Sequence, residues 1–206
     1  MSRGRFITLE GIEGAGKSSL QRALAAALAD RGRVVCATRE PGGTPLAEEI
    51  RAIALARRGE AMPPATELLL MFAARAAHVE GCIRPALARG EWVLCDRFSD
   101  ASRAYQGAGR GMNAAHIEQL VDIAHPGLAP DRTLLLDLPP ELGLARARQR
   151  GEQGDRFEDE RVAFFARVRA RYLELAAAEP HRFRVLDATA TPGAVLAQAL
   201  AALEGL

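Results

Sequence analysis

Apolar residues gather in five short runs, "RFITLE" (5–10), "RVVCATRE" (33–40), "EWVLCDR" (91–97), "RTLLLDL" (132–138) and "RFRVLDA" (182–188). Most are continuous rather than alternating, which is the pattern of strands buried on both faces of a parallel sheet. Between them the apolar positions recur at helical spacing, in "SSLQRALAAALADRG", "PLAEEIRAIALARR", "PATELLLMFAARAAHVEGCIRPALARG", "NAAHIEQLVDIAHPG", "PELGLARARQRG", "RVAFFARVRARYLELAAAE" and a last helix from about Pro192. Several of these open at Pro or close at Gly. The alternation predicts an α/β fold: a five-stranded parallel sheet with right-handed crossovers, helices over it in three α/β/α layers, and ligand sites beyond the carboxyl ends of the strands. Polar signatures stand at four of those ends, "EGIEGAGKS", "TREPGGT", "DRFSD" and "DLPPE". No repeat or low-complexity linker interrupts the pattern, so residues 1–206 read as one domain.

Composition narrows the classes. With 49% hydrophobic residues in 206, the chain can bury one good core. A net charge of +1 gives no general electrostatic footprint for nucleic acid, which is therefore not expected as a partner. Cys36, Cys82 and Cys95 show no CxxC spacing and read as reduced, structural thiols. His78, His116, His125 and His181 lack ligand spacing, so no protein-built metal site is expected. "MSRGRFITLEG" runs into a strand without a signal pattern, and no apolar segment is long enough to span a bilayer; a cytoplasmic protein without a membrane partner is expected.

The chain carries 27 Lys and Arg residues together, yet Lys17 is the only lysine. A lysine ammonium is a compact charge on a thin stem and fits under a tightly wrapped loop where a guanidinium fork does not. Gly11, Gly16, Lys17 and Ser18 satisfy G-x-x-x-x-G-K-[ST], placed between an apolar strand and an amphipathic helix. This is the context of a P-loop nucleoside triphosphatase fold: the backbone N–H groups and the helix N-terminus cradle phosphates. Gly11, Ile12, Glu13, Gly14, Ala15, Gly16, Lys17, Ser18 and Ser19 are accordingly the expected ATP-binding loop, with Lys17 on the β- and γ-phosphates and the Ser18 hydroxyl on Mg²⁺.

A phosphate loop alone serves switches, ATPases and small-molecule kinases alike. Transfer between two anions needs further cations to align the substrates and spread transition-state charge. Candidates are Arg39, Arg75, Arg97 and, in "RARQRGEQGDR", Arg146, Arg148, Arg150 and Arg156. An arginine-rich chain also scatters arginines on solvated faces, and the residues alone stop at a nucleotide-dependent kinase.

The phosphate loop "EGIEGAGKSS", the "TREPGGT" turn, "DRFSDASRAYQGAGRG" and "RARYLELA" together resemble bacterial members of the thymidylate kinase family, in order and spacing, over essentially the whole length. The resemblance implies phosphorylation of dTMP by ATP with Mg²⁺, and a homodimer. It implies that Arg97 grips the acceptor phosphate and that Asp96 lies near Mg²⁺ and the phosphates, holding the ion directly or through water. Arg39 and Glu40 match positions around the acceptor phosphate, and Glu13 the acid facing the deoxyribose 3′-hydroxyl. Arg75 resembles the arginine on the thymine carbonyl, Ser102 and Gln106 other base-edge positions, and Tyr105 the ring that crowds the ribose 2′ position. Met71 stands where many relatives have a base-stacking phenylalanine, so either Met71 or neighbouring Phe72 contacts the base. Arg103 receives no role.

The phosphate loop lacks an arginine, whereas the expected mobile lid, about 146–158, bears several. That is similar to the type whose lid supplies a catalytic arginine, here Arg150 or Arg156. Adenine contacts are expected around Arg146 and Asp187 to Thr189. The implied mechanism is direct in-line attack by a dTMP phosphate oxygen, with no phosphoenzyme and no general base. Two alternatives stay open here: a deoxynucleoside kinase using Glu40 or Asp96 as base, and a nucleotide-dependent switch or assembly ATPase. Preference for dTMP over dUMP is not legible, since one methyl group is worth about 1–3 kcal/mol in an apolar pocket.

Overall fold

The computed structural model describes residues 4–149 and 162–206. Strands β1 (Arg5–Glu10), β2 (Val35–Arg39), β3 (Trp92–Asp96), β4 (Arg132–Asp137) and β5 (Phe183–Asp187) form a parallel sheet in the order β2-β3-β1-β4-β5. The central strands β1, β3 and β4 are buried on both faces, as their continuous apolar runs require. β2 and β5 are edge strands and only partly buried. Arg39 and Leu9 both stand in register with Asp96, which brings the carboxyl ends of β1, β2 and β3 to one level.

Helices α1 (Lys17–Ala29), α2 (Pro45–Leu55), α3 (Pro64–His78), α4 (Arg84–Ala88), α5 (Ser99–Ser102), α6 (Ala114–Ala124), α7 (Pro140–Gln149), α8 (Val162–Ala178) and α9 (Pro192–Ala202) surround the sheet. Local chemistry marks their starts. The Thr44, Asn113 and Thr191 side chains accept from Ala47, Ala115 and Ala194 backbone N–H groups, and Pro45 and Pro192 occupy first turns where no donor is missed. α3 runs through a π-helical turn, Val79–Ile83, into α4, so the long helix expected from Pro64 is helical to Ala88.

Alternation along the strands divides the core. Ile7, Leu9, Leu94, Leu134 and Leu136 pack with Leu24, Phe165, Tyr172 and Ala199 on one face of the sheet. Phe6, Val93 and Cys95 pack with Val79, Ile83 and Phe98 on the other. Each fully buried Leu or Phe contributes about 1.5–3 kcal/mol relative to exposure.

One helical region carries no apolar signal. α5 continues as a π-helical segment, Arg103–Gly109, and the pair buries Ser99, Asp100, Ser102 and Gln106. Hydrogen bonds hold its polar side chains beside the core contacts of Ala104 and Tyr105: Ser99 Oγ meets His125 Nε2 at 2.6 Å, and Asp100 accepts from both Arg182 Nη atoms, at 2.7 and 3.0 Å. All three cysteines are free, with Cys36 Sγ and Cys82 Sγ 3.8 Å apart. Among the described residues no helix is long and apolar enough to cross a membrane.

Candidate active site

The loop between β1 and α1 is shaped by glycines. Gly14 has φ 76° and Gly11 φ 141°; a Cβ on Gly11 would approach Leu136 O to 2.6 Å, so the loop lies against β4 closer than any side chain allows. Lys17 is buried, and its ammonium donates to Gly11 O at 3.2 Å and Ile12 O at 2.9 Å, closing the loop upon itself. Burial lowers its pKa and the Arg97 charge adds to that effect, while Asp96 and Glu13 oppose it. Gln21 fastens α1 beneath the loop, donating to Thr38 O at 2.6 Å and Leu94 O at 2.8 Å. Ser18 Oγ donates to Asp96 Oδ2 at 2.9 Å, which joins the two expected metal positions.

A cavity of about 330 Å³ opens over this loop. Its walls include Glu13, Gly14, Gly16, Lys17, Ser18 and Ser19, and on the far side Arg39, Glu40, Asp96 and Arg97. Arg22 and Arg51 also line it, two cations whose helical spacing reads as ordinary surface charge in the sequence. Arg39 is half-exposed, and its Nη2 donates to both Glu48 carboxylate oxygens, each at 2.9 Å. Such an exposed pair is worth about 0–1 kcal/mol, so little holds the guanidinium in this position.

Arg97 has the only positive φ of a non-glycine among the described residues, 72°. A left-handed arginine costs about 1–3 kcal/mol unless its surroundings fix it. They do so from both sides. Arg97 N donates to Leu9 O at 3.0 Å, and Phe98 N donates to Glu10 Oε1 at 2.7 Å. The guanidinium lies 4.5 Å from the Tyr105 ring centre, Nη2 donates to Tyr105 Oη at 2.9 Å, and Nη1 lies 3.5 Å from Tyr172 Oη. Glu13 Oε2 stands 3.9 Å from Nη2. Burial, with Asp100 second, pushes the Glu10 carboxyl up to about 7 even though Tyr172 and Phe98 hydrogen bonds oppose it.

A second cavity, of about 130 Å³, adjoins the first. Glu13, Glu40, Met71, Arg75, Arg97, Ser102, Tyr105 and Gln106 all line it, which brings together expected residues from five segments of chain. Phe165, Leu55 and Arg51 also line it, without any sequence signal beyond helix periodicity. Of the two alternatives for the base face, Met71 lies in this lining. Phe72 does not: one helical step on, it packs with Leu68, Ile117 and Ala124 and supports the Arg75 guanidinium at 4.5 Å.

Arg75 is fixed by three hydrogen bonds: Nε to Glu40 Oε2 at 2.7 Å, Nη1 to Ser102 Oγ at 3.1 Å and Nη2 to Phe98 O at 3.0 Å. Two of its five N–H groups remain. Glu40 follows β2 into a cis Glu40–Pro41 peptide and is buried, with His78 Nδ1 3.0 Å from Oε1 and His78 Nε2 2.7 Å from Thr38 Oγ1. Burial alone would raise the Glu40 pKa, but the Arg75 charge and the His78 hydrogen bond outweigh it and the net shift is downward. A carboxylate so occupied is a poor general base. Glu40, His78 and Cys95 also place ligand atoms within 4.8 Å of one another, but Arg75 and Thr38 already engage this cluster, and burial pushes the Cys95 thiol well up.

Arg146 Nη1 donates to Ala188 O at 2.9 Å, so α7 meets the turn after β5 where Asp187 Oδ1 accepts from Thr189 N and Oγ1. The lid candidates Arg150 and Arg156, and most of 146–158, lie outside the described residues.

A family model, "Thymidylate kinase", matches residues 9–199. The thymidylate kinase of Pseudomonas syringae pv. syringae is 58% identical over 188 residues, 91% of this chain and 89% of that protein. That of Alkalilimnicola ehrlichii is 55% identical over 204 residues, 99% of this chain and 92% of its own. The crystal structure of thymidylate kinase from Ehrlichia chaffeensis superposes with a TM-score of 0.81 at 30% identity, covering 98% of this chain and 100% of that one. A P-loop sheet, two adjoining cavities and relatives matched over nearly their whole length lead to one assignment: the chain belongs to the thymidylate kinase family, enzymes that use ATP to phosphorylate dTMP to dTDP.

Proposed function

We propose that the chain performs this reaction by a single in-line phosphoryl transfer between the two cavities, without a phosphoenzyme. The observation that carries the reading is the overlap of their walls: Glu13, Glu40, Arg51 and Arg97 line both. A donor phosphate over the loop and an acceptor phosphate in the second cavity would therefore meet beside Arg97. Lys17 and the loop N–H groups hold the donor phosphates, and Arg97 grips the acceptor phosphate with a guanidinium fork suited to that geometry. A phosphate monoester is anionic near neutral pH, so alignment and charge neutralisation suffice and no base is required. Arg75, Ser102 and Gln106 meet the base edge, Met71 its face, and Tyr105 the ribose 2′ position. Arg150 or Arg156 supplies further positive charge from the lid.

Ser18 and Asp96 offer two hard oxygen donors beside the phosphate cavity, a set that fits Mg²⁺, which keeps several waters and needs few protein ligands. The ion, when bound, neutralises charge on the donor phosphates. A homodimer in the cytoplasm is the setting that the family likeness favours.

Stereochemistry tests the transfer step. ATP made chiral at the γ-phosphorus should give dTDP with inverted configuration, the signature of one in-line displacement. Retention would mean two displacements and a covalent enzyme intermediate, and would overturn the reading.

A further inference from the structure

Glu67 lies in the first turn of α3 and is fully buried. Glu67, Met71 and Arg75 follow one another at four-residue spacing and so share one face of the helix, the face that reaches the base cavity. Gln106 Nε2 donates to Glu67 Oε1 at 2.8 Å, and Arg110 Nε lies 3.5 Å from Oε2, which compensates the buried charge. A carboxylate only accepts, so it selects one of the two orientations of the Gln106 amide: the NH₂ group must face Glu67. Gln106 lines the base cavity, and its Oε1 meets no protein donor among the described residues, nor is it a buried orphan. The accepting end of the amide is the end left to the base.

The cavity edge thereby pairs a fixed donor, Arg75, with a fixed acceptor, Gln106 Oε1. A 4-keto pyrimidine with a protonated N3 presents the complementary order, an acceptor and then a donor. Cytosine presents the reverse, a 4-amino donor and an unprotonated N3. We propose that Glu67 is a specificity-determining residue that acts through Gln106, locking its amide so that the site accepts thymine-type bases and rejects cytosine. The inference rests on the reading that the acceptor base occupies this cavity.

The test compares kcat/KM for dTMP and dCMP, with saturating ATP, in the wild type, Glu67→Gln, Gln106→Leu and the double variant. A glutamine at position 67 carries both a donor and an acceptor and releases the Gln106 amide to either orientation. The dTMP-to-dCMP ratio should fall about 10–100-fold in E67Q, mainly through the KM for dTMP, with the KM for ATP unmoved. Because Glu67 acts through Gln106, adding E67Q to Q106L should change the ratio no further. Equal losses on both acceptors, or effects on the ratio that simply add, would overturn the inference.

Should E67Q fail to fold, the wild type alone decides with dUMP and 5-fluoro-dUMP, which share the 4-keto group but differ in that the fluorinated base loses its N3 proton at a lower pH. The kcat/KM for 5-fluoro-dUMP should therefore fall with rising pH earlier than that for dUMP, because an accepting amide cannot receive an N3 without its proton. Coincident pH profiles for the two would show that no acceptor meets N3. A wild type that forms no ADP in response to dTMP would instead fail the phosphotransfer reading, and this inference with it.

Discussion

Tyr172, in α8, donates its hydroxyl to Glu10 Oε2 at 2.6 Å, across 162 residues of chain. The other carboxylate oxygen takes Phe98 N, so one buried acid clamps the turn that presents Arg97. Burial and Asp100 raise its pKa from 4.5 to about 7. The folded state therefore keeps a proton that the unfolded chain releases, and stability from this group falls as pH rises from 4.5 to about 7. Glu10→Gln can keep both hydrogen bonds, since a tyrosine hydroxyl also accepts. Urea denaturation should find E10Q gaining on the wild type as pH rises from 4.5 to about 7, and levelling off above that. A difference that stays constant across that range would contradict the assignment.

The helical region without an apolar signal depends on charge. Asp100 and Arg182 are both buried and joined by two hydrogen bonds, of 2.7 and 3.0 Å. Asp100→Ala leaves the buried guanidinium only the more exposed Glu179 carboxylate, at 2.8 and 2.9 Å, and also takes an acid from Arg103, so it should cost about 3 kcal/mol in denaturant unfolding. Replacing both residues by apolar ones of similar volume should cost less than the single change. The opposite order would mean that the pair is not the source of the stability.

Lys17 illustrates a group held for chemistry against stability. Its buried ammonium bonds loop carbonyls and has a lowered pKa. Lys17→Met should reduce kcat on the order of 10²–10³-fold, as removal of one charge-stabilising donor does. The melting temperature should not fall, because a desolvated cation has been removed. Steady-state rates beside a thermal melt check both halves.

Met71 and Phe72 separate binding from packing. Met71→Ala should raise the KM for dTMP about 10-fold and leave the KM for ATP alone, by loss of apolar contact worth about 1–2 kcal/mol. Phe72→Leu, which keeps an apolar support beneath Arg75, should shift stability more than either KM. If the two variants exchanged effects, Phe72 would be the base contact.

The sheet and the phosphate loop are legible in the sequence because each is a local signal: a continuous apolar run marks a central parallel strand, and G-x-x-x-x-G-K-[ST] marks a loop whose mechanics need those residues in that order. Edge strands such as β2 look the same in sequence but lose burial on one side, since nothing in a strand says which neighbour it lacks. The pairings that orient the site are not legible, even where one member is. Glu67 meets Gln106 across 39 positions, Glu40 meets Arg75 across 35, and Glu10 meets Tyr172 across 162. Such pairs leave no periodicity to read. The segment from Ser99 to Gly109 hides for a related reason, because its burial is sustained by hydrogen bonds and its π-helical turn breaks the 3.6-residue spacing.

Phosphate transfer to dTMP is the central claim, and ADP formation from Mg·ATP measures it most directly, with dTMP, dUMP, the ribose form of TMP, dCMP, dGMP, AMP and thymidine as separate acceptors beside an acceptor-free control. The account predicts a strong rate with dTMP, a weaker one with dUMP, and a control near background. A rate that is highest with thymidine, or a control that matches every acceptor, would contradict it.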